Sequence, residues 1–447
     1  MLKTYRNVLL LILLATNGVT HIGCSSKDDE NPVIFLNEID SVITLGGTKN
    51  ESAQSIKRTS DGGYVILGYT QSMDGDIIDK QNESFDYWVL KYDALNSLQW
   101  SKTYGGTGID VGNDIVQTID GGYAIIGYST SSDEDVTANA GAHDYWIAKL
   151  DATGNMSWQK SFGYLGTDEG LSIVQTTDNG YLITGVLDVS ASGGAGNTKN
   201  ANSRHAGGDY WAIKLDINGT LQWSKYFGGS FTDIPYDVIQ TNTGYILVGS
   251  SDSDDIDITN SNGQYDFWVI SISNNGDLIW EKSFGGSEID EARAIVDAGD
   301  GNYLIVGDTR SNDGDISENK GGADLWVIKI DPLGNLVWEK TLGGGSFDVG
   351  RSIKKLPDGG FLISGSSRSP DGDVMMNQGQ NDAWVLKINN TGNLDWEKAI
   401  GGTAIDFAND AIQLIDGSVI AVGESNSNDG DIISNQGFTD LLIIKLK

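Results

Sequence analysis

The sequence predicts an all-β fold, a seven-bladed β-propeller with four strands per blade. Three observations predict it: a unit of about 58 residues recurs seven times, each unit holds four short β-type segments, and one unit is divided between the two chain ends. Repetition at a fixed interval is the sequence signature of propellers and solenoids. Four strands per unit is the composition of a propeller blade.

Two independent patterns mark the repeat. A Gly-Gly pair recurs at intervals of 57 to 65 residues, and its third occurrence is degraded to Gly163-Tyr164. An Asp-x-Trp pattern recurs at matching intervals, with Leu442 in the seventh place. Because both patterns give the same intervals, they define one repeating unit. The other Gly-Gly pairs begin at Gly46, Gly105, Gly228, Gly285, Gly343 and Gly401, and the tryptophans are Trp88, Trp146, Trp211, Trp268, Trp326 and Trp384.

Four strand signals can be read in every unit. In the second unit they cover residues 114–118, 122–128, 144–150 and 156–162. These segments are short and rich in β-branched and aromatic residues, and Gly-containing turns separate them. Beyond the N-terminal apolar run, no segment shows the 3.6-residue period of a helix. Each unit is therefore expected to form one antiparallel sheet.

The chain ends distinguish a closed ring from an open solenoid. The last unit stops after its third strand, and residues 40–45, just before the first Gly-Gly pair, resemble a fourth strand. We expect residues 40–45 to complete blade seven, because this pairing removes the exposed edge of an open array. A solenoid would have no reason to divide one unit between its termini.

The N-terminus has the pattern of an export signal. Lys3 and Arg6 precede an apolar run over residues 8–15 that is too short to span a bilayer, and His21-Ile22-Gly23-Cys24 follows. This tetrapeptide resembles the lipobox of bacterial lipoproteins, although Leu is usual at His21. It implies cleavage before Cys24 and lipidation of Cys24. The alternative is a plain secreted protein whose signal contains a cysteine.

The segment after the predicted cleavage point defines the domain boundaries. Ser-Ser-Lys-Asp-Asp-Glu at residues 25–30 resembles the surface-export tag of Bacteroidota lipoproteins. We therefore expect a signal peptide at 1–23, a polar tether at 24–37 and the propeller at 38–447. The implied location is the outer membrane, facing the cell surface, with the lipid on Cys24 as the membrane contact.

The repeat itself carries a family resemblance. Its markers are Trp-x-Lys-x-Phe/Tyr-Gly-Gly, Asp-Gly-Gly-Tyr, a Gly that ends the second strand, and Asp-x-Trp. On these motifs the chain resembles the SBBP-type β-propeller repeat lipoproteins of Bacteroidota over residues 38–447. The resemblance implies the fold and gives little guidance on activity, because function resides in the loops that each propeller carries.

Charge and cysteine content exclude several classes of function. The chain has 62 Asp and Glu against 29 Lys and Arg, a net charge of −33, so a nucleic-acid partner is not expected. The single Cys excludes an internal disulfide and a thiolate zinc site. All 12 Trp lie in repeat register, which favours packing between blades over an aromatic sugar platform.

Acidic residues recur in two loops of each unit. With the strands named A to D from the axis outward, the D–A and B–C loops should open on one face and gather 19 carboxylates there. Paired carboxylates on a Gly-containing turn suit Ca²⁺, and the alternative is that each Asp forms an Asx-turn with its own backbone. The D–A acids are Glu51, Asp110, Asp168, Asp233, Asp290, Asp348 and Asp406; the B–C candidate calcium ligands are Asp74/Asp76, Asp133/Asp135, Asp255/Asp257, Asp313/Asp315, Asp371/Asp373 and Asp429/Asp431.

Blade three breaks the repeat. Its B–C loop is seven residues longer, lacks Asp-x-Asp and carries Lys199, Arg204 and His205 into an acidic face. Loops that interrupt a repeat are frequent binding elements, and the alternative is a tolerated insertion without a role. We therefore take these three residues as a candidate binding loop.

The sequence favours a non-catalytic binding or scaffold module for an extracellular protein or polysaccharide. It contains no phosphate loop, nucleophile elbow or metalloprotease motif. The alternative is a polysaccharide-processing enzyme that uses carboxylates in the central funnel. Two inward-facing acids with unmatched polar groups from blade three would favour the enzyme, and seven equivalent lining residues would favour the binder.

Overall fold

The computed structural model describes residues 35, 37–196 and 205–447, and it confirms the seven-bladed β-propeller. Among these residues there are seven four-stranded antiparallel sheets and one short helix. Residues 35–447 form one compact unit. The predicted signal, most of the tether, Cys24, Lys199 and Arg204 lie outside the described residues.

The strands follow the repeat in chain order. Blade one contains β2 (Glu51–Arg58), β3 (Tyr64–Thr70), β4 (Asp86–Tyr92) and β5 (Leu98–Tyr104); blade two contains β6 (Asp110–Gln117), β7 (Tyr123–Ser129), β8 (Asp144–Leu150) and β9 (Met156–Phe162). Blade three contains β10 (Glu169–Gln175), β11 (Tyr181–Asp188), β12 (Gly208–Leu215) and β13 (Leu221–Phe227); blade four contains β14 (Asp233–Gln240), β15 (Gly244–Ser251), β16 (Asp266–Ser273) and β17 (Leu278–Phe284). Blade five contains β18 (Asp290–Asp297), β19 (Tyr303–Thr309), β20 (Asp324–Ile330) and β21 (Leu336–Leu342); blade six contains β22 (Asp348–Lys355), β23 (Phe361–Ser367), β24 (Asp382–Ile388) and β25 (Leu394–Ile400). Blade seven contains β26 (Asp406–Gln413), β27 (Val419–Ser425), β28 (Asp440–Leu446) and β1 (Ile39–Leu45).

Each sheet runs outward from a central channel. The first strand of every blade contacts the first strands of both neighbouring blades, so these seven strands surround the axis. The second, third and fourth strands follow in order toward the outside. We keep the names A to D for these positions.

The N-terminal strand closes the ring as predicted. β1 pairs antiparallel with β28, from Ile39 opposite Leu446 to Leu45 opposite Leu441. Beyond the paired strands, the Lys447 ammonium lies 2.6 Å from an Asp40 carboxylate oxygen. Blade seven therefore has its fourth strand, and the two ends of the ring are joined within one sheet.

Strand C supplies the core between blades. Its tryptophans are almost fully buried, and in four of the interfaces the tryptophan contacts an aromatic residue of the neighbouring blade. The Tyr87 hydroxyl also donates to the Trp146 carbonyl at 2.9 Å. Burial of large aromatic faces is a major source of stability, which explains why these positions repeat in nearly every blade.

Two local features differ from the sequence expectation. Strand A of blade two begins at Asp110, four residues earlier than predicted, and its register shifts between Gly112 and Asp114. This bulge hides the alternating pattern on which the prediction depended.

A four-residue helix, α1 (Val189–Ser192), lies in the B–C loop of blade three and is capped by Asp188. It is too short to show helical periodicity. Of the described segments, no helix is long and apolar enough to cross a membrane.

Candidate functional site

The Asp-x-Asp turns hold the loops of one face together. In blade five, Asp313 Oδ1 accepts the Ser287 backbone N–H at 2.7 Å, and Asp315 Oδ2 accepts the Gly285 N–H at 3.2 Å. Gly314 between them has φ of +66°, which a residue with a side chain rarely adopts. Each pair thus ties its B–C loop to the D–A loop entering the same blade. The same two contacts are made by Asp74/Asp76, Asp133/Asp135, Asp255/Asp257, Asp371/Asp373 and Asp429/Asp431.

The second aspartate of a pair also receives a side chain from the preceding blade. Asp76 Oδ2 accepts the Gln436 Nε2–H at 3.1 Å, and Asp431 Oδ2 accepts the Gln378 Nε2–H at 2.5 Å. Both glutamines lie four residues before the acid that strand C carries in their own blade. The same Oδ2 of the aspartate therefore accepts two hydrogen bonds, one from a backbone N–H and one from the glutamine side-chain N–H.

Cationic side chains occupy the same position in two further blades. Lys320 Nζ lies 2.5 Å from Asp373 Oδ2, and His205 Nε2 lies 4.0 Å from Asp257 Oδ2. At four residues a metal ion would therefore have to displace a donor or a cation that already faces the carboxylate. These four are Asp76, Asp257, Asp373 and Asp431.

The acids predicted in the D–A loop are buried at the start of strand A. Asp290 has no exposed surface, and its Oδ2 accepts the Gly286 N–H at 2.7 Å and the Ser311 hydroxyl at 2.8 Å. The equivalent acids, from Glu51 to Asp406, are also fully buried. These side chains lie beneath the loop face, where a surface ligand would not reach them.

A further acid, the first or second residue of strand C, lies near the buried acid that begins strand A of the next blade. Asp324 Oδ2 accepts the Lys320 N–H at 2.8 Å, while its Oδ1 is buried and has no hydrogen-bond partner among the described residues. A side chain at Gly343 would meet Asp324 and Asp348 oxygens within 2.8 Å, so only glycine fits. Burial, with a smaller contribution from Asp348, raises the pKa of Asp324 to about 6.

Cations lie against the strand C acid in two of the blade interfaces. Lys80 lies 3.0 Å from Asp86, and His205 Nδ1 lies 2.6 Å from Asp209 Oδ2. Burial raises the pKa of Asp209 to about 6, an effect that His205 opposes. Burial lowers the pKa of His205, but the Asp209 carboxylate outweighs burial and raises it above the usual value. The His205 side chain is therefore enclosed between blades three and four, with 6% of its surface exposed, and a role of this loop in ligand binding stays a prediction.

The carboxylates of the loop face fit a calcium ion only in part. They offer many oxygens, yet no group of three or more acidic, His or Cys side chains converges as a metal ion requires anywhere in the described ranges. The backbone hydrogen bonds also satisfy the pairs without an ion, but their donors lie in the D–A loop, 26 and 30 residues earlier in the chain for Asp313 and Asp315, and not in the backbone of the same turn as in an Asx-turn. In the blades that precede Asp135 and Asp315, the shorter Asn82 and Asn262 occupy the sequence position of the glutamines, so the pairs that contain these two aspartates are the best remaining candidates. Calcium at these turns stays a prediction.

The central channel is where the blades differ. The repeated positions form the blade interfaces, whereas the fourth position of strand A holds five different residue types among the seven blades. A comparison of the seven units position by position would have revealed this divergence, which the search for shared motifs missed. At the fourth position of strand A or its equivalent the residues are Gln54, Asn113, Leu171, Tyr236, Arg293, Arg351 and Asn409.

Three carboxylates lie around the middle of the channel. Asp114 Oδ2 accepts the Ile173 N–H at 3.1 Å, Asp237 Oδ2 accepts the Ile295 N–H at 3.0 Å, and Asp410 Oδ2 accepts the Ile56 N–H at 3.0 Å. In each case the donor is on the next blade around the ring. The acids therefore connect neighbouring A strands, across a cavity of about 100 Å³.

Lysines compensate these acids unequally. Lys354 Nζ lies 3.0 Å from Asp410 Oδ1, and Lys57 Nζ lies 2.9 Å from Asp114 Oδ1. Burial tends to raise the pKa of Asp410, but the two lysines outweigh burial and hold this pKa below its usual value. Burial dominates at Asp237 and raises its pKa. Asp237 thus holds a proton more easily than Asp410 does.

Two arginines lie on the loop-face side of this ring. The Arg293 guanidinium carbon is 4.2 Å from the Tyr236 ring centre, and its Nη2 lies 2.9 Å from Glu291. Arg351 lies 4.8 Å from the Phe407 ring centre and is exposed to solvent inside the channel. No carboxylate of the described chain forms an ion pair with Arg351. A guanidinium that is oriented by an aromatic ring and left unpaired is suited to an anionic or hydroxyl-rich ligand.

The lining matches neither expected arrangement completely. It contains three inward acids, but blade three contributes only Leu171 and Ser172, without a cluster of polar groups. The seven lining residues are also not equivalent. The residues that line the channel therefore differ between blades, although the blades themselves share one fold.

Comparisons with known proteins agree on the fold. No protein-family model matches the chain. The regulatory protein FlaEY of Caulobacter vibrioides is 23% identical over 412 residues, covering 80% of this chain and 41% of FlaEY, so the chain spans less than half of that relative. The Pan2 WD40 domain of Neurospora crassa superposes with a TM-score of 0.50 at 7% identity, covering 92% of this chain and 96% of that domain. A protein of unknown function from Bacteroides caccae has a TM-score of 0.40 at 9% identity, covering 78% and 94% of the two chains. At these identities, the likeness to the solved structures concerns the propeller fold alone.

Proposed function

We propose that this protein is a non-catalytic binding module whose ligand, an extracellular polysaccharide or protein, enters the central channel from the loop face. The observation that carries the proposal is Arg351, a solvent-exposed guanidinium inside the channel, stacked on Phe407 and without a carboxylate partner in the described chain. Nothing in the repeat requires an arginine there, because most other blades place different residues at this position.

The surroundings of Arg351 support recognition rather than reaction. Arg293 and Tyr236 add a second stacked cation on the same side of the channel. The acids deeper in the channel accept backbone N–H groups and thereby connect neighbouring strands. A catalytic acid pair needs carboxyl groups that are free to reach the substrate.

One observation favours the alternative, a polysaccharide-processing enzyme. Asp237 has a raised pKa in a channel that also holds Asp114 and Asp410, and pairs of acids with different pKa values are the usual equipment of glycosidases. Asp237→Asn separates the two functions. It should abolish hydrolysis of polysaccharides by an enzyme and leave the affinity of a binding module nearly unchanged.

The binding test is a glycan and protein array probed with the chain lacking residues 1–23. Arg351→Gln should weaken binding to every array ligand about tenfold or more, since a charge-assisted contact is lost. Arg368→Gln is the matched control, because Arg368 is exposed near the same face and has no ion pair among the described residues. Equal loss in both variants, or no loss in Arg351→Gln, would contradict a ligand site in the channel.

The proposed setting is the outer membrane, with the lipid on Cys24 as the anchor. The support is the lipobox-like sequence that ends at Cys24 and the acidic segment after it. Cys24→Ala should move the protein from the membrane fraction to the soluble fraction. Retention of the variant in the membrane fraction would contradict lipidation at this residue.

A further inference from the structure

The channel mouth opposite the acidic loop face is basic. A cavity of about 460 Å³ opens there, among the ends of the A strands of blades one, two, six and seven. Four of its ten lining residues are cations and none is acidic, in a chain with a net charge of −33. The lining residues are Lys57, Arg58, Val116, Gln117, Lys354, Lys355, Leu356, Pro357, Ile412 and Gln413.

Five acids on this side of the molecule are already paired with a lysine, whereas Asp297 and Asp416 form no ion pair with a described residue. Each A–B turn acid in five blades lies against a lysine from strand C of the same blade, for example Asp61 with Lys91 at 2.9 Å and Asp358 with Lys387 at 2.5 Å. These pairs recur at equivalent positions and belong to the frame of the blade. They neutralise these five acids, which would otherwise oppose the positive charge of the mouth.

Two of the four cations form no ion pair with a described residue. Lys57 and Lys354 are ion-paired with Asp114 and Asp410 deeper in the channel. Arg58 and Lys355 are exposed and form no ion pair with a described residue; Arg58 donates only to the Gln413 carbonyl, at 3.4 Å. The mouth therefore has two cations available to a ligand.

The walls between the cations are apolar. Val116, Leu356, Pro357 and Ile412 line the cavity, and Gln117 and Gln413 add amide groups. Cavities of several hundred Å³ with apolar walls and a few convergent polar groups are typical of small-molecule sites. An inorganic anion would leave those walls unused, whereas a sugar ring can place its C–H face against them.

We propose that this basic mouth binds an anionic saccharide unit, with Arg58 and Lys355 contacting its carboxylate or sulfate group. Arginine is suited to this task because its fork of N–H donors matches a carboxylate or sulfate. The site lies at the other end of the channel from Arg351, so it does not depend on the ligand proposed for the loop face.

The test is isothermal titration of the chain lacking residues 1–23 with glucose 6-sulfate, glucuronate, glucose and sodium sulfate. We expect the two charged sugars to bind, glucose to show no binding, and sulfate to bind at least tenfold more weakly than glucose 6-sulfate. Affinity for the charged sugars should fall as NaCl is raised, because salt screens the contacts. Glucose binding as tightly as its sulfate, or sulfate matching the sugar sulfate, would overturn the proposal.

Substitutions locate the site. Arg58→Gln with Lys355→Gln should weaken glucose 6-sulfate at least tenfold and leave the melting temperature unchanged, since both side chains are exposed. Lys160→Gln with Lys282→Gln is the charge-matched control on strand D, where both side chains are also exposed, and should bind as the unmodified chain does. Arg351→Gln should also leave this affinity unchanged. Undiminished binding in the Arg58/Lys355 variant would overturn the proposal.

Discussion

The interfaces between blades and the central channel follow opposite rules. At the interfaces the same residues recur: a strand C tryptophan, a Gly-Gly pair and two buried acids, from strand C and the next strand A, whose carboxylates lie at the first glycine of the pair. In the channel, strand A presents Leu171 from one blade and Arg351 from another. Residues that recur in every blade serve the frame common to all blades. Residues that differ between blades are not needed for this common frame, and we therefore expect ligand-binding residues among them.

Removing the closing strand should have the largest effect on the frame. Deletion of residues 37–47 removes β1, exposes the edge of β28 and opens the ring. We expect the melting temperature to fall on the order of 10 °C or more. Calorimetry of this variant beside a control that lacks residues 25–34 measures the difference. If the two melt together, β1 contributes nothing to closure.

The next effect concerns one Asp-x-Asp turn. Asp313→Asn with Asp315→Asn weakens two charge-assisted hydrogen bonds to the entering loop, so unfolding should become easier by about 1–3 kcal/mol. Denaturant titration checks this, and the fold should remain intact by circular dichroism.

The same variant tests calcium at the turn. We expect CaCl₂ to raise the melting temperature of the unmodified chain more than NaCl of equal ionic strength does, because calcium bound to this pair would stabilise the folded state, whereas an equal rise would indicate screening alone. A larger gain with CaCl₂ that the double substitution reduces would establish a calcium site at Asp313 and Asp315.

A smaller, graded effect is expected with pH. Burial raises the pKa of Asp266, Asp324 and Asp382 to about 6, and that of Asp233 to about 7. The folded state therefore binds protons more tightly than the unfolded chain, whose Asp pKa is about 3.9. This stabilisation is complete below about pH 4 and is lost as the pH rises through the folded pKa values.

Other aspartates, whose pKa values are lowered in the folded state, set the lower limit of the pH range in which the protein is most stable. Burial tends to raise the pKa values of Asp61, Asp120 and Asp178, but hydrogen bonds and lysines outweigh burial and hold these values at about 2. Their contribution is therefore lost only below about pH 4. Thermal unfolding should consequently occur several degrees higher at pH 5 than at pH 8. A melting temperature that rises with pH over this range would show that the interface acids are solvated.

The smallest effect on stability should come from the channel. Arg351→Gln removes an exposed side chain with no ion pair in the described chain, so the melting temperature should change by no more than about 1 °C. Arg351→Gln should thus lower ligand affinity while leaving the stability measured by calorimetry nearly unchanged. A loss comparable with that of the Asp313/Asp315 variant would place Arg351 in the frame.

The amino-acid sequence by itself determined the number of blades, the position of strand C and the closure by residues 40–45. These depend on local patterns: turn glycines, alternating apolar residues and a repeat interval that any two units share. The start of strand A was mispredicted because a bulge at Gly112 interrupts that alternation. The contact between His205 and Asp209 was not predictable for a related reason, since a histidine in a loop gives no local sign that it folds back onto a strand.

Only the tertiary structure decided which unlike residues meet. No local pattern shows that the Asp76 carboxylate has a side-chain donor, yet ring closure brings Gln436 against it from the other end of the chain. Lys57 and Lys354 are almost 300 positions apart, and both lie beside Asp410 in the closed ring. Strand patterns specify each blade from residues close in sequence. The charge of the channel and the partners of the loop carboxylates are not specified in this local way. They depend on side chains far apart in sequence that only the complete ring brings together.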